Sequence, residues 1–124
     1  MPWRSQLLQM HPIIETFYSG LLSKDELFDA FRATVALAQT SGTTRFLADC
    51  THLEGGHSIV HLYTLVDTLM SSGAALGAFR EAVLLPVLPG SAEDVLFWET
   101  ACLNRGLRVK VFESRPSAIA WLLE

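Results

Sequence analysis

The run from Arg45 to Met70 most constrains what this chain can fold into. An apolar stretch, Arg45-Phe46-Leu47-Ala48-Asp49-Cys50, passes through Gly55-Gly56 into a segment beginning at Ser58 in which Ile59, Leu62, Tyr63, Val66, Leu69 and Met70 recur at helical spacing. A strand that turns into an amphipathic helix is an α/β unit, and its loop falls where α/β proteins place function. The unit carries an acid at the expected strand end, Asp49, a hydroxyl at the expected helix N-terminus, Ser58, and three of the four histidines, His52, His57 and His61.

Similar units flank it. Pro12 to Ser19 is β-branched and aromatic, reads as a strand and stops at Gly20. Ser23-Lys24-Asp25-Glu26 is a capping box, in which a hydroxyl and a carboxylate satisfy the free amides that open a helix. That helix places Leu27, Phe31, Thr34, Val35 and Ala38 on one face and ends near Ser41-Gly42. Glu81 to Val87 is nearly all apolar, as a strand covered on both faces should be. After Pro89-Gly90, Ser91 is expected to cap a third helix, Arg108 to Glu113 alternates as a fourth strand, and Ser114 caps a last helix from Pro116 to Leu123. The expectation is an α/β fold with an open, mostly parallel sheet of four to five strands and helices packed on it. The fifth would be a short antiparallel edge strand before Pro12.

At 124 residues the chain is a single domain, 1–124, able to bury its own core without a metal or disulfide. Hydrophobic residues make up 50% and charged residues 18%, more apolar surface than one small core readily hides, so a homodimer or an apolar ligand cavity is expected. A formal charge of −4 with no Lys/Arg run argues against nucleic acid as a partner. No stretch approaches the roughly 18 apolar residues of a membrane span, and the N-terminus lacks a signal-type apolar run, so the chain reads as cytoplasmic. Cys50 and Cys102 are then expected to be reduced and buried.

Three segments carry a family likeness: Gly20 to Leu27 after the first strand, Phe46-Leu47-Ala48-Asp49, and Val109-Lys110-Val111-Phe112-Glu113-Ser114 with Ala118, Trp121 and Leu122. With them the chain resembles the STAS superfamily from about Ile13 to Leu123, particularly its SpoIIAA-like branch, which is also grouped with lipid-binding SEC14-type domains. Anti-sigma-factor antagonists of that family read Asp-Leu-Ser and then Asp-Ser-Ser-Gly. Here Asp49-Cys50-Thr51 and His57-Ser58-Ile59-Val60 stand in those places. The resemblance puts Ser58 at the phosphorylated position, while His57, Ile59 and Val60 depart from the pattern. It therefore implies the SpoIIAA-like proteins for which small-ligand or lipid binding and partner switching are suggested.

The candidate ligand-binding or regulatory residues are Asp49, Thr51, Gly55, Gly56, His57 and Ser58. Amides at the helix start favour a phosphate or carboxylate, and phosphorylation of Ser58 would place charge where the helix dipole welcomes it. Equally, Ser58 could simply cap the helix and the glycines simply turn the chain. His57 and His61 share a helix face, with His52 and Glu54 nearby, a spacing able to hold a metal although nothing else asks for one. Gly56-His57-Ser58-Ile59-Val60 lacks the second glycine of a nucleophile elbow. No dinucleotide motif, P-loop or Cys-x-x-Cys is present, so no cofactor is expected. Two functions follow. The first is a non-enzymatic regulatory or binding domain taking a small anionic, amphipathic or lipid-like ligand or a protein partner at the strand-end loops, Asp49 to Ser58 and Val87 to Ser91, with Leu53, Leu88 and Phe97 lining the cleft. The alternative is a small hydrolase or metal-dependent enzyme using Ser58, His57, His61 and Asp49. Val95-Leu96-Phe97-Trp98 makes the third helix apolar around most of its girth, so Phe97 and Trp98 either thicken the core or serve a dimer contact or cavity wall, and Trp121 is expected to seal the last helix onto the sheet.

Overall fold

The computed structural model describes residues 2–56, 59–71 and 78–124. In chain order these form β1 (Trp3–Leu7), β2 (Ile14–Leu21), α1 (Lys24–Ser41), β3 (Arg45–Gly55), α2 (Ile59–Met70), β4 (Arg80–Leu84), α3 (Pro89–Leu103), β5 (Arg108–Phe112) and α4 (Arg115–Leu122). The strands make one five-stranded sheet in the order β1-β2-β3-β4-β5. β1 lies antiparallel to β2, and every other pair is parallel. The antiparallel edge strand that the sequence left open before Pro12 is present, at Trp3–Leu7.

The strand order never reverses. Right-handed crossovers that step steadily in one direction leave their helices on one face of the sheet, and α1, α2 and α3 share a face here. Their Leu27, Leu62, Val66 and Cys102 pack with Ala48 and Cys50 in one core cluster. α4 comes after the last strand and covers the other face, where Ala118 and Leu122 close over Ile13, Leu47, Ala82 and Leu84. Central strands are buried on both sides, which explains their nearly continuous apolar sequence. Trp121 belongs to the second cluster, with its ring 5.7 Å from that of Phe112.

Local chemistry sets the helix ends. At α1 the Glu26 amide donates to Ser23 Oγ at 3.2 Å and the Ser23 amide to Glu26 Oε1 at 3.0 Å, so the capping box is formed. Ser114 Oγ likewise accepts from the Ser117 amide to open α4. α3 differs from expectation. It starts at Pro89 with Leu88 as its N-cap, and Ser91 is buried within the first turn. Proline's fixed φ and missing N–H suit the first helical position, so Pro89 begins the helix three residues early.

β3 also runs further than its sequence suggests. The expected strand ended at Cys50, whereas pairing to β2 continues through Ser19↔His52, Gly20↔Leu53 and Leu21↔Gly55 past a β-bulge. β4 pairs with β3 only as far as Asp49↔Leu84. Beyond that point β3 is laddered on one side alone, with a single further bond from the Val87 amide to the Thr51 carbonyl, which tolerates the polar Thr51, His52 and Glu54 that hide the strand from an apolar-run reading. β4 stops at Leu84 rather than at Val87, just ahead of Pro86, which has no N–H for a ladder.

Candidate functional site

A cavity of about 120 Å³ lies between the sheet and α1–α3. Leu62, Leu65 and Leu69 of α2 form its roof, with Ala48, Cys50 and Val83 among the residues of its floor. α2 approaches α1 and α3 more closely than it does the strands, which leaves this space beneath it. An engineered apolar cavity of about 150 Å³ accommodates benzene, so the space is that of a single small ring or a short aliphatic chain.

The polar groups in this lining divide into two kinds. Thr16 and Thr34 are satisfied: their hydroxyls lie 2.7 Å apart, Ser5 Oγ is 3.2 Å from each, and Thr34 donates to the Ala30 carbonyl. Glu81 and Tyr18 are not. Glu81 Oε1 accepts a 2.6 Å hydrogen bond from the Trp98 indole N–H, but among the described residues Oε2 has no donor and the Tyr18 hydroxyl no partner. Both side chains are half-buried and line the cavity, and polar groups left without a protein partner at a cavity wall call for a specific reason.

Burial pushes the Glu81 carboxyl up to about 7, opposed only by the Trp98 bond. The Tyr18 hydroxyl is raised by burial, then by the neighbouring Cys50 and Glu81. Burial raises the Cys50 and Cys102 thiols as well, with Glu81 adding to both, and each cysteine is free and buried. Thiols held so far toward the protonated form make poor nucleophiles.

Asp49 and Thr51, two of the residues selected by sequence, are not among those lining this cavity. Asp49 faces α4, on the side of the sheet opposite the cavity. Its Oδ1 accepts from the Thr51 amide at 3.1 Å and the Thr51 hydroxyl at 2.6 Å, and its Oδ2 lies 3.9 Å from Arg115. Arg115 also pairs with the buried Glu15. Asp49 and Thr51 therefore brace the bulge of β3 and anchor the start of α4. Asp49 is also separated by the sheet from α2, the helix that carries His61.

Gly55 and Gly56 adopt positive φ, and a Cβ on Gly56 would stand 2.7 Å from the Leu22 backbone nitrogen and oxygen. The close approach that this glycine permits is to the chain's own Leu22. His57 and Ser58 lie outside the described residues. No cluster of three or more His, Cys, Asp or Glu able to hold a metal occurs among the described residues. The strand ends carry no topological switch point, because the order never reverses. Of the expected lining residues Leu53 borders the cavity, Leu88 is exposed, and Phe97 packs edge-on to Tyr63 at 5.1 Å.

No protein-family model matches the sequence, and no curated protein does so either. Among solved structures, an uncharacterised DUF3478-family protein with a SpoIIAA-like fold from Shewanella loihica PV-4 superposes with a TM-score of 0.57 at 19% identity. The match covers 97% of this chain and 91% of that one.

The fold is SpoIIAA-like.

Within this SpoIIAA-like fold the sequence did not single out Glu81 and Tyr18 as cavity residues. A charged residue opening an otherwise apolar strand, Glu81-Ala82-Val83-Leu84, was the available signal for the first of them. A carboxylate there must either reach solvent or be held inside, and Trp98 on the covering helix holds it inside. No helix among the described residues is long and apolar enough to cross a membrane.

Proposed function

We propose that this is a non-enzymatic, cytoplasmic STAS-like binding domain that takes a small amphipathic ligand in the cavity beneath α2. The observation that carries the reading is a largely apolar space with two polar groups, Glu81 Oε2 and the Tyr18 hydroxyl, that no described residue satisfies. An apolar lining with a few convergent polar groups is the usual form of a small-molecule site. The test is whether benzene, the simplest probe of that size, perturbs the NMR signals of cavity residues. Shifts confined to the loops after the strands would return the site to the Asp49–Ser58 edge.

The same proposal includes self-association. Val60 and Tyr63 on α2 and Leu96 and Leu103 on α3 are exposed, and these two helices are neighbours, so a second copy would find apolar side chains on both. A second copy covering α2 and α3 would also lie over the cavity roof. Sedimentation equilibrium at tens of micromolar is expected to give a dimer that Tyr63→Glu disrupts. A monomeric native protein at that concentration would rule this out.

A further inference from the structure

We infer that Glu81 and Tyr18 make the cavity selective for a neutral, hydroxyl-bearing ring or short chain, an alcohol or phenol, over both the bare hydrocarbon and the corresponding carboxylate. The inference rests on the cavity being the ligand site proposed above and specifies the chemistry of what enters it.

Three observations support it. First, both groups line the cavity and interact electrostatically across it. Glu81 Oε2 offers an acceptor, the Tyr18 hydroxyl can donate, and a ligand hydroxyl can serve either, since it both donates and accepts. Second, the other lining hydroxyls are already spent. Thr16 and Thr34 bond each other, and Ser5 adjoins both, so they do not compete for a ligand. Third, Trp98 fixes Glu81 by a 2.6 Å bond to Oε1. The free oxygen is thereby presented by a side chain that need not reorganise when a ligand arrives.

The charge balance excludes anions. Glu81, Tyr18, Cys50 and Cys102 are coupled electrostatically, and Glu81 raises the other three. These groups come from β4, β2, β3 and α3, and Asp94 of α3 is a further acid in the lining. The cationic side chain acting on the set, Arg105, is felt at Cys102. A second buried carboxylate here would add a like charge in a space with little solvent to screen it. The volume of about 120 Å³ excludes a full acyl chain, so the ligand is closer in size to phenol than to a lipid.

The experiment is calorimetric titration of the full chain at pH 8 with phenol, benzene and benzoate. Phenol is expected to bind about tenfold or more tightly than benzene, the scale of a hydrogen bond to a charged acceptor, and benzoate to show no binding. In Glu81→Leu the advantage of phenol over benzene should fall to within about twofold while benzene still binds, as loss of that hydrogen bond alone would produce. Tyr18→Phe is the second variant. It keeps the ring and the carboxylate, and the phenol advantage should shrink. Equal affinity of the native protein for phenol and benzene, or benzoate binding as well as phenol, would overturn the inference while leaving the cavity a ligand site. So would a phenol advantage that survives Tyr18→Phe undiminished. A native protein that binds none of the three overturns the cavity reading itself, and this selectivity with it.

Discussion

Replacing Glu81 by Gln is expected to stabilise the protein by about 3 kcal/mol at pH 8 and to leave it nearly unchanged at pH 4. The carboxyl titrates near 7 in the fold against an ordinary value of 4.5, because burial disfavours its charge more than the Trp98 bond favours it. Each pKa unit is worth about 1.4 kcal/mol. For a group raised on folding, the associated stability is fully present below the unfolded value and is lost as pH rises through the folded value. The loss therefore runs from pH 4.5 to a little above 7. Gln keeps an oxygen for the Trp98 N–H and never ionises, so the variant lacks this loss. Urea unfolding of both proteins across that range isolates the effect, since every other titrating group is common to the two. Parallel stability curves would show that Glu81 is not held in the environment described.

Gly56→Ala is expected to cost about 3–5 kcal/mol, against about 1–3 for Gly55→Ala. Both glycines have positive φ, at 98° and 121°, so each substitution meets backbone strain. Only Gly56 also meets a neighbour. Its added Cβ would press on the Leu22 backbone at 2.7 Å, where the Leu22 amide donates to the Gly55 carbonyl at 2.7 Å. Leu22 is fully buried and lines the cavity, so its displacement should also weaken benzene binding, whereas Gly55→Ala should not. Equilibrium unfolding of the two variants measures the difference. Equal costs would mean that the contact with Leu22 is not the constraint.

Much of the architecture could be read from local patterns. Ser23 and Glu26 announce α1, and the unbroken apolar character of Leu47-Ala48 and Val83-Leu84 announces strands covered on both faces. The features that were harder to read depend on non-local partners. Thr51, His52 and Glu54 belong to a strand because β2 extends beside them after β4 has ended, a fact about register that no local run contains. Asp49 stands out in sequence as an acid after apolar residues, yet its carboxylate braces Thr51 and Arg115. Glu81 looks like the solvated start of a strand. Its role emerges only when α3, packed on the same face of the sheet, brings Trp98 within hydrogen-bond reach of it. The consistent one-way stepping of the strands, which puts three helices on one face and so creates the cavity, was likewise not encoded in any single segment.

The central claim is that the space between the sheet and α2 receives a ligand. The most direct measurement is an NMR titration of benzene into the native protein and into Ala48→Ile, which places a β-branched side chain in the cavity floor with little penalty to the strand. The account predicts saturable shifts at Cys50, Leu65 and Val83 in the native protein, and their loss in the folded variant. Absence of those shifts in the native protein, or identical shifts in Ala48→Ile, would contradict it.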